Sequence, residues 1–150
     1  MNVFDVFHNK ALIAGLAAWL GAQIIKVPLE YFQTRRWNWV LLFTTGGMPS
    51  SHSSLMTATT LAIGLYQGFD SPIFALGVAV TMIVVYDAGG IRQQAGIHAH
   101  RINVLFDELL RGHPINQKDL RELLGHTPLE VMGGVLLGLV VATSQWMVWK

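Results

Sequence analysis

Four apolar runs, almost empty of charge, decide most of what this chain can fold into. They cover about Lys10 to Ile25, Ser53 to Gln67, Pro72 to Tyr86 and Leu129 to Trp149. Each is a little shorter than the ~20 residues needed to cross hydrocarbon, and each can lengthen through less apolar flanks. Buried helices of a soluble domain are the alternative. That domain would need a polar coat, yet 52% of the 150 residues are hydrophobic and only 13% charged. The pattern predicts an all-α integral membrane helical bundle of about four transmembrane helices plus short interfacial helices. It forms a single membrane-embedded domain over residues 1–150.

If all four runs cross, helix 1 ends, helix 2 begins, helix 3 ends and helix 4 begins on the same side of the membrane. The unusual polar residues sit at these four ends. Lys26, Arg35 and Arg36 follow the first run, Ser50, Ser51 and His52 open the second, Asp87 and Arg92 close the third, and His126 and Glu130 open the fourth. Four separate segments thus deliver polar groups to one face, which scattered surface polarity would not do. Eight of the ten Lys and Arg residues also fall on that side, with Lys10 and Lys150 on the other. By the positive-inside rule the site faces the cytoplasm, and the protein is expected in the cell (inner) membrane. The polar connection from about Arg92 to Gly125 carries "LFDELLRG" and "KDLREL", expected as amphipathic interfacial helices able to act as a lid.

A net charge of +1 leaves no basic footprint for nucleic acid. Without cysteine there are no disulfides, thiolate metal sites or cysteine nucleophiles. Chemistry must come from His, Ser, Lys, Arg or carboxylates. "GGMPSSHSS", residues 46–54, combines a glycine approach with a helix start, where unpaired N–H groups and the positive dipole end favour an anion such as phosphate. The plainer reading is an N-cap formed by Ser50 or Ser51. In "GHTPLEV", His126 and Glu130 are four apart, on one helix face. A carboxylate bonded to one ring nitrogen fixes the tautomer and raises the nucleophilicity of the other. Capping by Thr127 and Pro128 is the plainer reading, and a metal pair lacking a third ligand is another. Lys26, Arg35 and Arg92 each also fit interfacial anchors. Asp87 should be paired with Arg92 or another cation. His98, His100 and His113 are expected to be solvated, and Met and Trp to form membrane core and belt.

In their order, these residues resemble the type 2 phosphatidic acid phosphatase superfamily, which includes the vanadium-dependent haloperoxidases. That family carries Lys-x6-Arg-Pro, then Pro-Ser-Gly-His, then Ser-Arg-x5-His-x3-Asp before a small-residue helix. Pro49-Ser50-Ser51-His52 is similar to the second motif, and His126-x3-Glu130 before "VMGGVLLG" to the end of the third. The nearest likeness is to the divergent branch of small bacterial and plant membrane members, over nearly the whole chain. There are departures. Eight residues separate Lys26 from Arg35, with Arg36 an equal candidate, Ser51 replaces Gly, Glu130 replaces Asp, and Arg121 stands one residue too near His126.

The resemblance implies a metal-independent lipid-phosphate phosphatase without a cofactor, working through a phosphohistidine. His126 would be the nucleophile, Glu130 its orienting partner and His52 the general acid and base. Lys26, Arg35 or Arg36, Ser50, Ser51 and Arg92 would bind phosphate, with Asp87 and Arg121 supporting them from behind. The implied substrate is a phospholipid or polyprenyl phosphate, with vanadate as a mimic. A catalytically degenerate lipid-phosphate-binding or scaffolding protein is the alternative. A homodimer built on Gly133, Gly134 and Gly138 would thicken a thin bundle.

Overall fold

The computed structural model describes residues 2–43, 46–90, 96–98, 101–106 and 126–149. Every regular element among them is helical. The four main helices are α1 (Lys10–Thr34), α2 (Ser51–Gln67), α3 (Pro72–Gly89) and α4 (Pro128–Val148), with 3-10 turns at Val3–His8 and Trp39–Phe43. Residues 96–98 and 101–106 are also helical. The expected interfacial helix "KDLREL" and the positions of Arg92, His100, His113 and Arg121 lie outside the described residues.

Capping residues set the helix starts. Asn9 Oδ1 accepts from the N–H groups of Ala11 and Leu12, both at 3.1 Å. Ser50 caps α2, Ser71 caps α3 and Thr127 caps α4, and in the last two a proline occupies the first turn, where its missing N–H is not needed. Between α2 and α3, Gly68 turns the chain at φ +99°, a conformation that favours glycine.

One expectation needs correction. The first helix does not end near Ile25. It continues to Thr34 through Pro28, so Lys26 is an internal residue of a 25-residue helix and not a terminal anchor. A charged residue interrupts an apolar run without interrupting backbone hydrogen bonding. Among the described residues, three helices are by themselves long and apolar enough to span a membrane: Lys10–Phe32, Pro72–Gly89 and Pro128–Val148. α2 has 17 residues, about 26 Å at 1.5 Å per residue, and it stands at the centre with α1, α3 and α4 packed on it. A helix shielded by three neighbours need not be apolar on its own account.

The packing is that of a membrane protein, with small residues inside and large apolar residues outside. Ala11, Ala14 and Ala18 meet Ala58, Ala62 and Ala142 in the core. Leu12, Leu16, Leu20 and Ile24 on α1, and Ile73, Leu76 and Ile83 on α3, are exposed. Hydroxyls join the helices: Ser54 Oγ donates to the Ala18 carbonyl at 3.0 Å, and Thr60 Oγ1 and Thr81 Oγ1 share a hydrogen bond at 2.8 Å. The glycines of α4 pack inside the bundle. A Cβ on Gly134 would collide with the Ser50 carbonyl oxygen, one on Gly138 would lie 2.6 Å from the Ser54 carbonyl oxygen, and Gly133 faces Met48 and Pro49. α2 and α4 therefore run in parallel at close approach, both starting at the same end of the bundle.

Candidate active site

At that end three helices are joined residue by residue. Lys26 Nζ of α1 donates a long hydrogen bond, 3.5 Å, to Ser51 Oγ of α2. The Ser50 N–H donates to the Glu130 carbonyl of α4 at 2.9 Å. Glu130 Oε2 then lies 3.0 Å from His126 Nδ1 and accepts the Thr127 N–H at 3.1 Å. The anticipated pairing of imidazole with carboxylate and the plainer capping arrangement are thus both present, and one oxygen atom serves both. Because that oxygen also takes the Thr127 N–H, it is held as an acceptor, and the His126 proton belongs on Nδ1. In the neutral ring, Nε2 is left with a lone pair.

His126 is only 3% exposed, and Nε2 is buried with no hydrogen-bond partner among the described residues. An unsatisfied buried nitrogen of this kind costs roughly 1–3 kcal/mol, a cost that a bound group would relieve. His126 lines a cavity of about 730 Å³ together with His52, Asp87 and the α3 wall from Met82 to Ala88. The two imidazoles, from segments 74 residues apart in sequence, therefore face a common space.

Ser50 and Ser51 are buried, and the Ser50 hydroxyl caps α2 by accepting from the Ser53 N–H at 3.4 Å. The turn before them uses Gly47 at φ +86°, and the Met48–Pro49 bond is cis. Lys26 is 1% exposed and lines a second cavity, about 170 Å³, with Glu30, Leu41, Gly47, Thr127 and Glu130. Arg35 and Arg36 are exposed just past the end of α1, about 13 Å beyond Lys26 along the helix axis at 1.5 Å per residue. Neither lines a cavity shared with the histidines among the described residues. His98 is exposed. No three His, Asp or Glu side chains gather as a metal-ligand set among the described residues.

Sequence reasoning did not anticipate the α3 wall of the histidine cavity. Its signal was the highest mean hydropathy of the three spans, 1.8, in a helix only 6% buried inside the bundle. Nor did it anticipate that the Ser51 hydroxyl turns towards Lys26.

Residues 7–141 match the family described as the divergent PAP2 family. The chain belongs to that family. It is also similar to the uncharacterized membrane protein YuiD of Bacillus subtilis (strain 168), with 38% identity covering 91% of this chain and 94% of the relative. No solved structure matches the chain. The family match and the inside-out packing agree that this is an all-α membrane protein.

Proposed function

We propose that the chain is a lipid-phosphate phosphatase acting through a phosphohistidine on His126. The observation that carries this reading is the state of one ring: Nδ1 bonded to Glu130, and Nε2 buried, without a partner among the described residues, on a cavity shared with His52. In the first step the Nε2 lone pair forms a bond to phosphorus as the bond to the ester oxygen breaks. His52 gives that oxygen its proton, and Glu130 stabilises the imidazolium that develops. In the second step His52 takes a proton from water, the water oxygen bonds to phosphorus and the N–P bond breaks. The products are the alcohol and inorganic phosphate. The amino end of α2, with its positive dipole, stands beside the charge that builds on the phosphoryl oxygens. None of these steps calls on a metal ion.

The apolar wall of α3 supports a substrate whose hydrocarbon chain remains in lipid while its phosphate reaches the histidines. We assign the site to the cytoplasmic face from the seven Lys and Arg residues that follow α1 or fall between α3 and α4 in sequence, Lys26 being inside α1. A second reading, lipid-phosphate binding without turnover, is favoured by the positions of Arg35 and Arg36, exposed and away from the histidine cavity.

The test is phosphate release by the purified chain in lipid nanodiscs from phosphatidic acid, phosphatidylglycerol phosphate and polyprenyl phosphate, with and without a chelator. Release that survives chelation, is inhibited by vanadate and disappears in His126→Ala and His52→Ala is expected. An acid-labile, base-stable phosphoprotein should form in the wild type and not in His126→Ala. Binding of all three lipids with no release would give the second reading the field. Because the chain lacks cysteine, Arg36→Cys reports orientation directly, and labelling only from the cytoplasmic side is expected.

A further inference from the structure

The geometry points to a second polar site, at the opposite end of the bundle, that holds the headgroup of an aminophospholipid: a phosphate joined to a primary ammonium. It shares no residue with the histidine cavity and does not depend on the phosphatase reading.

At the end where α1 begins and α2 and α4 finish, a cavity of about 380 Å³ is lined by Asp5, His8, Asn9, Lys10, Tyr66 and Gln67. That volume is in the range of small-molecule sites. Lys10 is held in place there. Its Nζ donates to the Trp149 carbonyl at 3.0 Å and stands 4.5 Å from the centre of the Tyr66 ring, while Gln145 Nε2 donates to the Lys10 carbonyl at 2.8 Å. An ammonium has three protons, so donors remain for an acceptor in the cavity. Asp5 is half engaged: its Oδ2 accepts the Asn2 N–H at 3.1 Å, and its other oxygen keeps its acceptor capacity. The helix start itself is not the binding element, because Asn9 Oδ1 already accepts the Ala11 and Leu12 N–H groups.

Three observations choose the ligand. Lys10 and Asp5 line one cavity, yet among the described residues no ion pair joins them. An anion alone would face the Asp5 carboxylate and a cation alone the Lys10 ammonium, whereas a zwitterion serves both, phosphate at Lys10 and ammonium at Asp5. Secondly, the Tyr66 hydroxyl is buried with no partner among the described residues. A phosphate oxygen supplies the acceptor it lacks, and leaving such a donor unmet is costly. Thirdly, Val3, Phe4 and Phe7, from the same turn as Asp5, and Trp149, bonded to Lys10, are exposed. In a bilayer these side chains settle at the boundary of headgroups and hydrocarbon, which puts the cavity at headgroup depth and makes its occupant a lipid. A headgroup bound there ties the Val3–His8 turn and the start of α1 to the end of α2, and stabilises the folded bundle by mass action.

The experiment follows the melting temperature of the full-length chain in an uncharged, phosphate-free detergent as lipid is added. The probes are short-chain phosphatidylethanolamine, phosphatidylglycerol and phosphatidylcholine, with glycerophosphoethanolamine as the soluble headgroup. Phosphatidylethanolamine should stabilise saturably. Phosphatidylglycerol lacks the ammonium, and the quaternary nitrogen of phosphatidylcholine has no N–H to give Asp5, so both should bind about tenfold or more weakly. Asp5→Asn keeps an acceptor for the Asn2 N–H, and Tyr66→Phe keeps the ring under the Lys10 ammonium. Each should weaken phosphatidylethanolamine binding about tenfold, and Lys10→Gln at least as much. Asp5→Asn should also erase the preference for phosphatidylethanolamine over phosphatidylglycerol.

Equal stabilisation by the three lipids, an affinity indifferent to Asp5→Asn and Tyr66→Phe, or no saturable effect of phosphatidylethanolamine would each overturn the proposal. Glycerophosphoethanolamine binding as tightly as the lipid would overturn the assignment to a membrane lipid. If Lys10→Gln does not fold, the Asp5→Asn and Tyr66→Phe comparisons decide the matter. Because the readout is lipid-induced stabilisation and not phosphate release, a chain that hydrolyses nothing can still pass or fail it.

Discussion

Replacing Gly138 with alanine tests whether close approach of α4 to α2 holds the two histidines on one cavity. An added Cβ would lie 2.6 Å from the Ser54 carbonyl oxygen, 2.8 Å from Thr57 Cβ and 3.0 Å from the Ala58 nitrogen. Two of these neighbours are backbone of the central helix and cannot rotate away, so α4 must move outward by several tenths of an ångström. Overpacking of this kind costs about 1–3 kcal/mol. At roughly 2–4 °C per kcal/mol for a chain of this size, the melting temperature should fall by about 2–12 °C. Gly21→Ala is the matched control, because a Cβ there meets nothing within 4 Å. Its only effect is the change in helix propensity, which favours alanine by up to ~1 kcal/mol in an aqueous helix. Both variants are compared by thermal unfolding in the same detergent, following helical circular dichroism and the size-exclusion profile. Gly138→Ala should melt well below wild type and Gly21→Ala at or above it. Equal melting temperatures for the two variants would refute the placement of Gly138 against the α2 backbone.

Four further outcomes follow from particular contacts. Glu130→Gln should abolish most phosphate release while melting near wild type, since the amide oxygen can still accept the Thr127 N–H. Thr127→Ala should do the reverse, costing about 0.5–2 kcal/mol of stability through the lost cap with His126 still oriented. Thr60→Val removes the hydrogen bond to Thr81 and should cost about 0.6 kcal/mol, seen as faster amide exchange along α3 than along α4. Val85→Trp, which fills part of the histidine cavity, should raise KM for long-chain lipid phosphates and leave that for a small water-soluble phosphate ester little changed.

Where helices begin was legible because their starts are chemical: Ser50, Ser71-Pro72 and Thr127-Pro128 are all cap signatures, and all cap. The end of α1 was not legible, because hydropathy falls at Lys26 while the backbone helix runs on to Thr34, its inward face carrying Gln23 and Lys26. The His126–Glu130 pair could be read from its four-residue spacing, which fixes proximity within one turn. The relation of Lys26 to the two cavities could not, since it depends on how α1 rotates against α2 and α4. That rotation is set by the alanine stripe and the Ser54 hydroxyl, which carry no mark of the site. Asp87 shows the same division: its place at the close of α3 was readable, its presence on the histidine cavity was not.

The composition of α2 explains why a site forms at one end of so small a bundle. Its serines and threonines would be costly facing lipid, so it must be enclosed, and enclosure by short side chains brings α1 and α4 close to its backbone. That closeness lets Ser50 bond the Glu130 carbonyl and Lys26 reach Ser51. α3 follows a different rule. It packs chiefly on α2, touches α4 little, and leaves its face from Met82 to Ala88 open beside the histidines. On the opposite side the Trp39–Phe43 turn is tied down by Gln23 Nε2, which donates to the Leu42 carbonyl at 3.0 Å, and Leu41 of that turn closes over the Lys26 cavity. The histidine cavity and the Lys26 cavity are therefore unequal by construction. The apolar, open cavity suits a lipid-borne phosphate, whereas the smaller, covered one holds Lys26, Glu30 and Glu130. Both cavities depend on the approach of α4 to α2, and Gly134 and Gly138 set that distance against the Ser50 and Ser54 carbonyls.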